Sequence, residues 1–167
     1  DLSHLSKDEA KEFTLLLEEL EKREKRESSM ASFYDFVKTI WPEFIAGAHH
    51  KKMAEAFDKI ASGESKRLII NMPPRHTKSE FASYLFPAYL LGKRPKLKII
   101  EATHTADLAI NFGRRVRDLI ESEEYAEIFP ATELKADSRS AGKWNTSQGG
   151  QYYAAGIGGA LAGRGAD

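Results

Sequence analysis

The segment with the clearest chemical potential is Met72-Pro73-Pro74-Arg75-His76-Thr77-Lys78-Ser79. An apolar run precedes it and a helical pattern follows, so it sits where a buried strand should hand over to a helix. Such a turn aims backbone N–H groups and the positive end of a helix at one small volume, which suits a phosphate group. In that setting Lys78 places an ammonium against the β- and γ-phosphates of a nucleotide, and Ser79 offers a hydroxyl to the Mg2+ that bridges them. Arg75 is either an exposed loop charge or a cationic group that senses the γ-phosphate.

The strict phosphate-loop pattern asks for glycine six residues before the lysine and again immediately before it, and this chain has Met72 and Thr77 there. Glycine supplies positive φ and close backbone approach, so either Thr77 meets the phosphate with a conformation that suits threonine or the loop holds phosphate less closely. By residue chemistry alone the segment reads as a nucleotide site or as an ordinary strand-to-helix turn.

The elements that position it follow from pattern. Arg67 to Met72 is a short apolar run rich in β-branched residues and predicts a buried parallel strand. The helix after the loop runs from Lys78 to about Leu91, contains Pro87, which should kink it, and is closed by Gly92. Leu97 to Ala102 predicts a second strand, and Thr105 caps a helix with apolar positions Leu108, Ala109, Phe112, Val116, Leu119 and Ile120. Lys143 to Ser147 and Gln151 to Ala155 flank Gln148-Gly149-Gly150 as a hairpin, in which one of Tyr152 and Tyr153 faces a core and the other solvent. Gly156 to Asp167 holds five glycines and reads as a mobile loop.

Upstream, Ser6 to Glu9 has capping-box spacing at the head of a long helix, which ends in the charged run Glu21 to Glu27 and a linker at Ser28-Ser29. Ser32 caps a short helix stopped by Trp41-Pro42, and another helix spans about Ala48 to Ser62 with Gly63 as its C-terminal cap. The division is thus 1–29, a helix and linker, and 30–167, the body of the domain.

Composition narrows the function classes. Twenty-five basic and 25 acidic side chains balance over 167 residues, so any nucleic-acid contact must come from a local patch. Arg114, Arg115 and Arg117 either track a DNA backbone or pair with Glu121, Glu123 and Glu124. The absence of cysteine excludes disulfides and thiolate metal sites, and no apolar run is long enough for a membrane span.

The chain resembles the ATPase domain of phage large terminase subunits, motors that pump DNA into viral capsids; some carry phosphate loops of Pro-Pro-Arg-x-x-Lys-Ser form, as in Pro73 to Ser79. The likeness runs from about Phe33 to Asp167. His49-His50-Lys51 looks like the upstream nucleotide-base segment, Ala106-Asp107-Leu108-Ala109 with Arg114 to Arg117 like the helix after the second strand, and Gly163-Arg164-Gly165-Ala166-Asp167 like the loop before the Walker B strand.

The resemblance implies an α/β, three-layer P-loop NTPase core of the additional-strand type, incomplete here, with an N-terminal helical arm. It implies ATP and Mg2+ as cofactors, contacts from Pro74, Arg75, His76, Thr77, Lys78, Ser79, His49 and Lys51, catalytic roles for Arg75 and Lys78, and Mg2+ on Ser79. It further implies double-stranded DNA, a small terminase subunit and a portal protein as partners, a homo-oligomeric ring, a downstream nuclease domain and a place in the host-cell cytoplasm. Catalytic carboxylates are expected beyond Asp167, so these 167 residues alone are expected to bind ATP weakly and not to turn it over. A helicase-like DNA-dependent ATPase and a non-catalytic interaction module are the competing readings.

Overall fold

The structure, a computed structural model, describes residues 6–138, 140–159, 161 and 163–167. It is a mixed α/β fold in which six α-helices and a π-helical segment accompany one three-stranded sheet among the described residues.

Helix α1 (Lys7–Ala31) starts where the sequence places it, with Ser6 and Glu9 exchanging both hydrogen bonds of a capping box. It does not stop at a linker: Ser28 and Ser29 are helical, and the buried Ser29 hydroxyl meets Thr39 Oγ1 at 2.8 Å. α2 (Phe33–Ile40) is capped by the Ser32 side chain, and α3 (Ala48–Ser62) ends on Gly63 at φ 82°, a left-handed cap that glycine adopts without steric cost.

The main core is aromatic. The Phe33 ring lies 5.2 to 5.5 Å from those of Phe57, Phe81, Phe86 and Tyr89, all near edge-on, the arrangement that ring quadrupoles favour. Asp58 on α3 accepts from the Phe33 N–H at 2.9 Å, fixing the start of α2 to α3.

Residues 78–93 form one continuous helix whose second turn is the π-helical segment Glu80–Leu85, leading into α4 (Phe86–Lys93). The Phe86 N–H reaches back five residues to Phe81 C=O. This wide turn accommodates Pro87, which lacks an N–H and crowds the carbonyl four residues earlier. Gly92 does not close the helix. It lies inside it, where a Cβ would stand 2.4 Å from Phe129 Cδ2, so its role is close packing.

The sheet has order β1-β3-β2, with β1 (Lys98–Thr103) parallel to β3 (Gln151–Gly156) and β2 (Lys143–Asn145) antiparallel to β3. α5 (Ala106–Ile120), capped by Thr105, packs on it, and α6 (Glu123–Ile128) follows. Trp144 stacks on Tyr152 at 4.8 Å and donates Nε1–H to the Gly113 carbonyl at 3.0 Å, which joins sheet to helix. Tyr152 is fully buried, and its neighbour Tyr153 lies under the Arg164 guanidinium at 3.9 Å. On the edge of β1 that does not face β3, Asp167 exchanges hydrogen bonds with both backbone groups of Lys98.

The run 67–72 corrects the sequence reading. It is not a strand, because the three-stranded sheet does not include it and no ladder forms along it. Nor is the run buried on both faces: Ile70 and Met72 pack against the core, while Ile69 is 85% exposed and Leu68 is exposed as well. An apolar run marks residues suited to burial, but a strand exists only when a neighbour supplies the hydrogen bonds. Within the glycine-rich tail expected to be mobile, Ala160 and Ala162 lie outside the described residues.

Candidate phosphate-binding loop

The chain leaves the extended run at Met72 and turns through 73–77 before the helix begins at Lys78. Residues 73–80 line a concavity of about 300 Å³. Two non-glycine residues in this turn have left-handed backbones, Arg75 at φ 63° and Thr77 at φ 56°. His76 between them does not, so the sign of φ alternates along the loop; alternation of right- and left-handed residues is the backbone arrangement found in anion-binding nests. The first intrahelical bond runs from Phe81 N–H to Thr77 C=O at 2.9 Å, leaving the N–H groups of the first turn without intrahelical acceptors.

Thr77 is the informative residue. Positive φ in a β-branched side chain is an outlier that costs about 1–3 kcal/mol, and it falls at the position where a phosphate loop ordinarily has glycine. Threonine does not avoid the conformation glycine would take; it adopts it.

A hydrogen-bonded chain from α3 ends on this residue. The Gly47 N–H donates to His50 Nδ1 at 2.8 Å, so Nδ1 is the acceptor and the proton of the neutral ring lies on Nε2. Nε2 stands 2.6 Å from Thr77 Oγ1, which in turn donates to the His76 carbonyl at 2.7 Å. His50 is buried, wedged between the Phe44 ring at 4.7 Å and the Phe81 ring at 5.4 Å. Burial, and then the nearby His49 and His76 imidazoles, hold its pKa below the ordinary histidine value. A Cβ at Gly47 would lie 2.9 Å from the His49 ring, so the glycine leaves room for that imidazole beside the N-cap.

The remaining residues fall into place around the loop. Lys78 is half-buried and directs Nζ to the Met72 carbonyl at 3.4 Å, six residues back across the mouth of the turn. Ser79 is exposed at the head of the helix, and so are Pro74, Arg75 and His76. His76 donates Nδ1–H to the Pro74 carbonyl at 2.9 Å, and the His49 ring lies 5.6 Å from it. Lys51 is exposed on α3. His49 and Lys51 were expected to contact the nucleotide base; the histidine that hydrogen-bonds to the loop itself is His50. The signal that points to it is Gly47-x-x-His50, the spacing at which a side chain three residues into a helix reaches back to the N-cap backbone.

Two of the three arginines of α5 form ion pairs within the fold. Arg115 makes a two-pronged ion pair with Glu80, and Arg117 meets Asp118 at 2.7 Å, while Arg114 is exposed. No family model, curated protein or solved structure matches this chain.

Proposed function

We propose that the loop 73–79 binds the phosphates of ATP and that the chain is the nucleotide-binding part of a P-loop ATPase that drives DNA into a viral capsid. The observation that carries the nucleotide site is the backbone of the loop: alternating left-handed residues at Arg75 and Thr77, immediately before a helix that opens with Lys78 and Ser79. That shape favours N–H donors gathered at a positive helix end, and Lys78 adds an ammonium whose one hydrogen bond among the described residues is a long contact to the Met72 carbonyl.

The residues present fit a magnesium nucleotide. Ser79, with an exposed hydroxyl at the helix head, would share the Mg2+, Lys78 would meet the β- and γ-phosphates, and Arg75 would supply a second cation at the mouth. His49 and Lys51, at the start of α3, are the candidates for contact with the base. The terminase reading adds duplex DNA, a small subunit, a portal and a ring of copies as partners, and it rests on resemblance of the segments around the loop.

The nucleotide site is tested by calorimetric titration with MgATP. Lys78→Ala should weaken binding at least about tenfold, as expected for losing one charge-assisted phosphate contact, while Lys22→Ala on α1 should not. Equal effects of the two replacements, with both proteins folded, refute the assignment.

A further inference from the structure

We infer that His50 is a positioning residue for the loop: its Nε2–H holds Thr77 in the left-handed conformation that a phosphate loop otherwise obtains from glycine. The inference rests on the phosphate-loop reading for its purpose, though not for its geometry.

Threonine at φ 56° is disfavoured by its own Cβ, and something outside the residue must offset that cost. The Oγ1 is anchored on both sides, accepting from His50 at 2.6 Å and donating to the His76 carbonyl at 2.7 Å. The second anchor is local and moves with the loop. The first is not: His50 is fixed by the Gly47 N–H at 2.8 Å and by the Phe44 and Phe81 rings, so it is a rigid point on another helix. Were Thr77 to relax to negative φ, its side chain would swing about the backbone and leave His50 Nε2 without an acceptor inside a buried aromatic pocket. An unpaired buried donor is costly, so the relaxed loop is penalised and the strained one retained.

The same bond assigns the histidine its form. With Nδ1 accepting from Gly47, only the Nε2–H tautomer serves Thr77. Glycine at 77 would need no such support, since it adopts positive φ unaided. The pair His50 and Thr77 is therefore a two-residue substitute for one glycine.

The test is a double-mutant cycle between positions 50 and 77 on the 167-residue chain, read both by MgATP titration and by urea unfolding. His50→Phe keeps a ring between Phe44 and Phe81 and removes both nitrogens; His50→Gln restores a donor near the Nε2 position. With Thr77 present, His50→Phe should weaken MgATP binding about tenfold, the equivalent of losing one buried hydrogen bond, and His50→Gln should recover most of it. In the Thr77→Gly background the same His50→Phe change should shift the affinity less than about twofold, because nothing remains to be held. Equal weakening in both backgrounds overturns the inference, since His50 would then act on the nucleotide or on the fold at large. Should the unsubstituted chain not bind MgATP, the phosphate-loop reading fails by itself; unfolding midpoints then decide the lock, with coupling between the two positions supporting it and additivity overturning it.

Discussion

Arg115 on α5 grips Glu80 at the head of the loop helix with both terminal nitrogens, Nη1 to Oε1 at 3.0 Å and Nη2 to Oε2 at 2.5 Å. Its guanidinium also lies 4.2 Å over the Tyr84 ring. Glu80 and Tyr84 are one turn apart on the same helix, so a single arginine fastens α5 to the element that follows Ser79. Both partners are about one third exposed, which screens the pair.

Arg115→Ala should therefore destabilise the fold by about 1–2 kcal/mol in urea unfolding, combining a screened two-pronged ion pair with a cation–π contact. Arg114→Ala, at an exposed position on the same helix, should leave stability within about 0.5 kcal/mol. An Arg115 variant as stable as the parent would show the pair to be incidental.

Gly92 gives a second packing prediction. Replacing an interior helix glycine by alanine ordinarily gains about 1 kcal/mol, yet here the new Cβ would lie within 2.6 Å of three ring atoms of the buried Phe129. Overpacking should win, with Gly92→Ala lowering stability by about 1–2 kcal/mol. A stabilised Gly92→Ala protein would mean that Phe129 moves aside freely.

For Thr77→Gly three effects compete. Glycine releases the strain at φ 56°, but it adds conformational entropy to the unfolded chain and leaves the buried His50 Nε2–H without its acceptor, so stability should fall by about 1 kcal/mol in urea unfolding. MgATP affinity should stay the same or tighten, since the backbone keeps the loop shape without a side chain in the way. Loss of binding with an unchanged circular dichroism spectrum would show that the threonine hydroxyl itself serves the ligand.

What the sequence makes legible here is what neighbours in the chain decide. The Ser6–Glu9 box, the caps at Ser32, Gly63 and Thr105, and the hairpin joining β2 to β3 each need only a few consecutive residues, and each forms. The strand expected at 67–72 depended on partners elsewhere in the chain, and the apolar pattern alone does not provide them. Ser28 and Ser29 look like a linker until the hydroxyl of Thr39 is brought beside them, and Gly92 looks like a cap until Phe129 covers it. At the loop, Lys78 and Ser79 were readable by type and spacing. The left-handed Thr77 and its contact with His50, 27 residues away in sequence, are products of tertiary packing.

The His50 contact also fixes the sign of a pH effect on stability. In the folded chain the ring is kept neutral by burial and by the Gly47 N–H on Nδ1, with His49 and His76 as the titratable neighbours; in the unfolded chain it takes a proton near 6.5. The unfolded state thus binds more protons below that value, and stability must fall as pH drops through the window between 6.5 and the lowered folded pKa, while above 6.5 the contribution is complete. Glu101, whose carboxyl is pushed upward chiefly by burial, acts in the opposite sense at acid pH, but it is common to both proteins in a comparison with His50→Phe. Urea midpoints measured from about pH 7.5 down to about pH 5.5, spanning the ordinary histidine range, should decline more steeply for the parent than for His50→Phe. Parallel curves would mean that His50 carries no proton difference between the two states, and that the neutral Nε2–H form assigned to it is wrong.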